Sequence, residues 1–240
     1  MNDDRPGFEL TSDATATIDE IERWKPTKRD PGRVSLVVNR RVVATLPREQ
    51  ASDLGATPGA AWTDELQAAV EQAVADDKAR RSALRTLERR AQSRGEMVER
   101  LRRKGHEPAV SERVVDRLVA AGLINDEDYG RALIREITNA KPAGPRLLRQ
   151  KLTMRRLDRR LIDRLIREWV DARAAEQPDG EIDPALERLI ERKLASMTKL
   201  DEATRARRLY GFLARRGFEP DTVRDLTRRF VYESSDSDGA

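Results

Sequence analysis

The chain has 240 residues, 38% of them hydrophobic, 4% aromatic and 38% charged, a balance that excludes one large apolar core and suits small helical bundles with wide solvated faces. Its 47 Lys+Arg face 43 Asp+Glu, for a net charge of +4, so any case for an anionic partner must rest on where the charge sits. With no cysteine and a single histidine, disulfides, thiol catalysis and His-based zinc sites lack their parts.

Residues 1–30 mix Asp, Thr, Pro and Lys with little periodicity and are expected to form a disordered arm. No apolar run of signal-peptide or membrane-spanning length follows the acidic start, which leads to the expectation of a soluble cytoplasmic protein. The span 31–62 holds two β-branched runs, Val34 to Val38 and Arg41 to Leu46, on either side of Asn39-Arg40, the pattern of a small β-hairpin with a loop after it. Thr63 with Asp64 and Glu65 then opens a long Ala-rich helix that runs toward Arg90.

From there a phrase recurs three times, an apolar-x3-Leu ladder closing on a basic residue and a turn. The copies are Met97-x3-Leu101 ending at Lys104-Gly105-His106, Leu148-x3-Leu152 ending at Arg155-Arg156-Leu157, and Leu209-x3-Leu213 ending at Arg216-Gly217-Phe218. Each is followed, 13 residues after the turn residue, by a bulky apolar side chain: Leu118, Trp169, Phe230. The turns are 51 and 61 residues apart, so the unit is a block of about three short helices that buries its apolar face against its neighbours. The divisions this predicts are repeat one at 63–124, repeat two at 125–175, an acidic linker at 176–181, repeat three at 182–232 and a disordered acidic tail at 233–240. Ser93-x2-Glu96 reads as a capping box, Asn125 as a cap for the first helix of repeat two, and Pro108, Pro145 and Pro220 as first-turn prolines.

The phrases Ser93-x2-Glu96-x4-Leu101-x3-Gly105, Gly122-Leu123-Ile124-Asn125-Asp126-x2-Tyr129, Gly144-Pro145-Arg146-x5-Leu152 and Leu213-Ala-Arg-Arg-Gly217-Phe218, in that order and spacing, resemble the RecX family of bacterial recombinase regulators over about residues 34 to 231. The resemblance implies a mainly α fold, a curved array of three three-helix repeats behind a small N-terminal β-hairpin. It further implies a regulator of recombination and DNA repair that lies in the groove of the RecA–DNA filament and modulates ATP hydrolysis and strand exchange, usually by inhibition. The chain departs from that pattern in its longer N-terminal arm, in the linker around Pro178 to Ile182, and in Arg156, where repeats one and three have Gly.

Candidate chemistry lies with the basic residues. Lys78 to Lys104 holds eleven Lys or Arg against three acids, and Arg131 to Arg167 twelve against three, so the helical body carries positive stretches suited to phosphates or an acidic protein surface. Arg146 and Arg149 fall together on the second helix of repeat two, beside Leu148 and Leu152, near a helix start whose free amides favour an anion. Arg94, Arg135 and Arg207 are further candidates for partner or phosphate binding. Basic residues at helix ends such as Lys104, Arg155 and Arg216 also suit the helix dipole with no partner at all. His106 aligns with Leu157 and Phe218 and is expected to pack in its turn. Aromatics do not interleave with the basic residues, so a base-stacking platform is not indicated. No catalytic residue, metal site or cofactor motif is assigned, and the protein is read as a non-enzymatic monomer whose partner is the RecA filament, with DNA phosphates as a possible contact and no membrane. Two other readings fit the pattern: a direct DNA-binding protein of helix-turn-helix type, and a helical-repeat scaffold for another acidic partner.

Overall fold

The computed structural model describes residues 19–176 and 181–233. Residues 1–18, the middle of the acidic linker (177–180) and the tail from 234 lie outside them. The described chain is mainly helical behind a three-stranded sheet, and it divides into two compact units, Met1–Lys78 and Ala79–Ala240.

In the first unit the expected hairpin is present, with β2 (Arg33–Val38) and β3 (Arg41–Pro47) paired antiparallel. Its two-residue turn has positive φ at both Asn39 (48°) and Arg40 (62°), the left-handed conformation that matches the twist of the flanking strands. The sheet is larger than the hairpin. Ile21–Pro26 forms β1, antiparallel to β2, in order β1-β2-β3, so the reading of 1–30 as a disordered arm fails for its last third. The reason is burial at a distance. Ile21 is fully buried with Val34, Leu36, Val38 and Leu46, and Trp24 packs against the same cluster. The Trp24 indole N–H donates to Ala56 O at 2.8 Å, and Ile21 exchanges two backbone hydrogen bonds with the loop, N–H to Ala60 O (2.9 Å) and O from Gly59 N–H (2.8 Å). A short helix α1 (Arg48–Asp53) and the start of α2 (Asp64–Leu87) cover this face through Ala51, Val70 and Ala73. Arg33 is held by Asp77 of α2 at 2.7 Å.

The second unit begins within α2 and continues through α3 (Arg94–Arg103), α4 (Pro108–Ala120), α5 (Asp126–Ala140), α6 (Pro145–Met154), α7 (Arg159–Glu176), α8 (Pro184–Ala195), α9 (Glu202–Arg215) and α10 (Pro220–Thr227), ending in a π-helical turn, Arg228–Glu233. The ladder residues Met97/Leu101, Leu148/Leu152 and Leu209/Leu213 are all at 0% exposure, so α3, α6 and α9 are equivalent central helices. Each is enclosed by apolar residues of its own repeat: Val110, Val114 and Leu118 in the first, Leu133, Ile162 and Leu165 in the second, Leu186, Ile190 and Val223 in the third. Of the three bundle-closing residues, Leu118 is buried, while Trp169 and Phe230 are partly buried against their clusters.

Local signals set the helix boundaries. Ser93 closes a full capping box with Glu96, the Asn125 side chain accepts from the amides of Glu127 and Asp128, and prolines open α4, α6, α8 and α10.

Strand β1 supplies a fully buried isoleucine and a ladder of hydrogen bonds to β2, so it is integral to the first unit. A chain beginning at Arg33 is expected to lose the cooperative unfolding of that unit, whereas Ile21→Ala in the full chain is expected to cost about 2–5 kcal/mol. Denaturant unfolding followed by tryptophan fluorescence measures both; unchanged stability of the shortened chain would return β1 to the status of an arm.

Candidate partner-binding surface

The three central helices end alike. In each, the residue after the C-cap has positive φ, Gly105 (83°), Arg156 (56°) and Gly217 (80°), and two backbone hydrogen bonds close the turn. His106, Leu157 and Phe218 donate to the carbonyls of Leu101, Leu152 and Leu213, while Gly105, Arg156 and Gly217 donate to Arg102, Thr153 and Ala214. These are Schellman motifs, in which a left-handed residue lets the last turn satisfy its own carbonyls. His106 takes the place of Leu157 and Phe218 and is partly buried there.

Two of these turns meet the start of the central helix in the preceding repeat. The N-cap hydroxyl of α3, Ser93 Oγ, donates to Arg155 O, the C-cap carbonyl of α6, at 2.5 Å. At the next junction the N-cap amide of α6, Gly144 N–H, donates to Arg216 O, the C-cap carbonyl of α9, at 2.9 Å, and Arg146 N–H donates to Gly217 O at 3.0 Å. The negative end of one helix dipole therefore lies against the positive end of the next, α9 on α6 and α6 on α3. Glycine is required for the approach: a Cβ on Gly95 would sit 2.5 Å from Arg156 O, and one on Gly144 2.2 Å from Gly217 O.

A polar ring surrounds the first junction. Glu96 accepts from Tyr129 Oη at 3.1 Å and from Arg155 Nη1 at 3.3 Å, and Asp126 accepts the Arg94 amide at 2.6 Å. Burial pushes the Asp126 carboxyl up despite that amide, and burial with the nearby Glu96 charge raises the Tyr129 phenol. At the second junction the Arg216 guanidinium donates to Pro142 O, and burial lowers its pKa.

The five candidate arginines divide by this geometry. Arg94 is engaged inside repeat one: its guanidinium donates to Asp116 at 2.8 and 2.9 Å and to Glu112 at 2.8 Å, and the Asp116 hydrogen bond raises its pKa. Arg146 and Arg149 share α6, with side chains 59% and 46% exposed and longer contacts, Arg146 to Glu219 at 3.8 Å and Arg149 to Asp163 at 3.3 Å. Arg135 on α5 and Arg207 on α9 are exposed, and neither forms an ion pair with a described residue. Only Arg146 and Arg149 are thus brought side by side. The first unit holds further exposed cations that counting charge over the helical body alone misses: Arg23, Lys25, Lys28, Arg29, Arg40 and Arg41. Their signal in the sequence is eight Lys or Arg against two acids between Ile21 and Arg48. Among the described residues no helix is long and apolar enough to cross a membrane.

Family models match two stretches, 79–118 to the first three-helix domain of RecX and 181–226 to the third. The regulatory protein RecX of Pseudomonas entomophila is 35% identical over an alignment covering 64% of this chain and 93% of its own length. That of Corynebacterium efficiens is also 35% identical, covering 64% and 72%. That of Mycobacteroides abscessus is 32% identical, covering 67% and 76%. A crystal structure of regulatory protein RecX superposes with a TM-score of 0.72 over 90% of this chain and 99% of its own at 18% identity. RecX from Lactobacillus salivarius gives 0.55 over 65% and 96%, also at 18% identity. These structural likenesses establish the fold.

The junctions predict opposite effects for two substitutions. Gly144→Ala places a methyl inside the van der Waals radius of the Gly217 carbonyl and is expected to cost about 2–3 kcal/mol. Arg156→Gly relieves a left-handed backbone at the expense of an exposed 3.9 Å contact to Glu99, and is expected to add about 0.5–1 kcal/mol, since exposed pairs of that length contribute little. Urea unfolding monitored by far-ultraviolet circular dichroism reads both, and a reversal of the order would show that the backbone contacts do not control the junctions.

Proposed function

The chain belongs to the RecX family of regulatory proteins, and from that premise we propose that it acts in the cytoplasm as a non-enzymatic modulator of the RecA–DNA filament, lowering ATP hydrolysis and strand exchange. The observation that carries the reading is the coupling of the repeats. Hydrogen bonds at both junctions, from the Ser93 hydroxyl at the first and from the Gly144 and Arg146 amides at the second, hold the central helices in a fixed register, so that weak contacts made by separate repeats add along an extended partner. The exposed basic residues, with Arg146 and Arg149 foremost, are the groups that would meet an acidic protein surface or DNA phosphates.

A helix-turn-helix protein reading base edges is less well supported. The candidate pair Arg146 and Arg149 stands on α6, whose N-terminus is occupied by the Gly217 turn, whereas a recognition helix presents its N-terminal residues to the groove.

The direct test adds purified protein to RecA filaments on single-stranded DNA and follows ATP hydrolysis and filament length together. Both are expected to fall at protein-to-RecA ratios well below one, because a bound array affects many protomers; unaltered values at equimolar protein would remove the proposal. In the same assay Arg146→Gln/Arg149→Gln is expected to lower filament affinity by about a hundredfold, on the order of 3 kcal/mol if both contacts are charge-assisted. Its melting temperature should stay close to that of the parent, since half-exposed pairs contribute at most about 1 kcal/mol each. His106→Ala removes only a partly buried side chain in a turn and is expected to keep near-normal affinity.

A further inference from the structure

The edge strand β1 and the turns at its two ends carry cations of a kind different from the ion-paired arginines of the helical repeats. Arg94, Arg131, Arg149, Arg155 and Arg164 each have a carboxylate partner within 3.3 Å. Arg23, Lys25, Lys28, Arg29, Arg40 and Arg41 are all exposed, and none of them forms an ion pair with a described residue. The two acids of this stretch are spent on the backbone: Glu22 accepts the Arg40 amide at 2.6 Å, and Asp30 accepts the Gly32 amide at 3.0 Å.

Register sets these cations in a row. Ile21 and Trp24 turn into the core, so Arg23 and Lys25, opposite Val37 and Ser35 of β2, stand on the other face of the sheet. Ile21 pairs with Val38, and Val38 with Arg41, so the hairpin tip with Arg40 and Arg41 lies at the start of β1, while Lys28 and Arg29 follow its end. At about 3.3 Å per residue the six-residue strand is roughly 20 Å long, and residues two apart are about 7 Å apart, close to the spacing of phosphates along an extended nucleic-acid strand. Beside Lys25, the hydroxyls of Ser35 and Thr45 are hydrogen-bonded to each other at 2.8 Å. One proton serves that bond, which leaves the second O–H as a donor.

We propose that this face, led by Arg23 and Lys25 and extended at the hairpin tip by Arg40, is a sequence-independent binding site for the phosphate backbone of a nucleic-acid strand. The linear spacing of cations that form no ion pair among the described residues favours a polymer of regularly placed charges. A lipid surface is disfavoured because the exposed apolar groups on these strands are two valines, Val42 and Val43, too small an area to insert. The site requires no RecA, so it stands or falls separately from the filament reading.

The test uses the full chain, a fluorescent 25-nucleotide oligothymidine, and vesicles containing phosphatidylserine. Arg23→Gln/Lys25→Gln is expected to weaken oligothymidine binding at low salt at least fivefold and to reduce the slope of log affinity against log salt by about 1.4, the release of counterions from two phosphates. Arg40→Gln should act in the same direction. All three side chains are exposed, so the melting temperature of each variant should match that of the parent and separate loss of binding from loss of fold. Oligothymidine affinity and salt slope equal to the parent's in both variants would overturn the site, as would variants that lose vesicle binding alone.

Discussion

The second unit depends on the capture of a C-cap carbonyl by the N-cap of the preceding central helix. A helix leaves its first amides and last carbonyls without intrahelical partners, and here the last carbonyls find donors across the repeat boundary, the Ser93 hydroxyl at the first junction and the Gly144 and Arg146 amides at the second. The left-handed residues Arg156 and Gly217 turn the chain so that its carbonyls face outward, and Gly95 and Gly144 remove the side-chain bulk that would hold the backbones apart. Hydrogen bonding, dipole alignment and steric fit thus coincide at one point. The thin apolar clusters of each repeat then need only enclose their own central helix.

The same junctions sort the charges. Glu96, Tyr129 and Arg155 form a hydrogen-bonded group around the first, and the guanidinium of Arg216 is drawn onto the Pro142 carbonyl at the second. Basic residues at these helix ends are structural, as their position at the negative end of a dipole implies. Arg94 is structural for a different reason, with two carboxylates on α4 holding it. What remains for a partner is a smaller set, displayed on the flanks of helices and on the edge of the sheet. In a chain with 47 Lys+Arg, binding is expected to follow from which cations stay exposed beyond their internal contacts.

Family membership and this sorting bear on different questions. Membership gives the class of regulator, and the geometry gives the residues on which its binding is expected to depend. The strand β1 and the cations along it belong to the N-terminal unit, and the matched three-helix domains begin only at residue 79.

The repeat count, the central ladders, the turn residues and the caps were legible in the sequence because each is encoded within a few residues: period, capping side chain, left-handed turn. The hairpin at Asn39-Arg40 was legible for the same reason. Strand β1 was not, because its one fully buried residue, Ile21, has meaning only beside Val38, and the bulge after it breaks the alternation a strand would show. Nor was the role of Gly95 and Gly144, which looked like ordinary helix-start residues until Arg156 and Gly217, 61 and 73 positions away, were brought onto them. Arg94 and Arg146 are equally basic in the sequence; the carboxylates of Asp116 and Glu112 engage the first, and half-exposure on α6 leaves the second available. Local conformation is set by neighbours along the chain, whereas the state of a charge is set by neighbours in space, and only the tertiary structure supplies those.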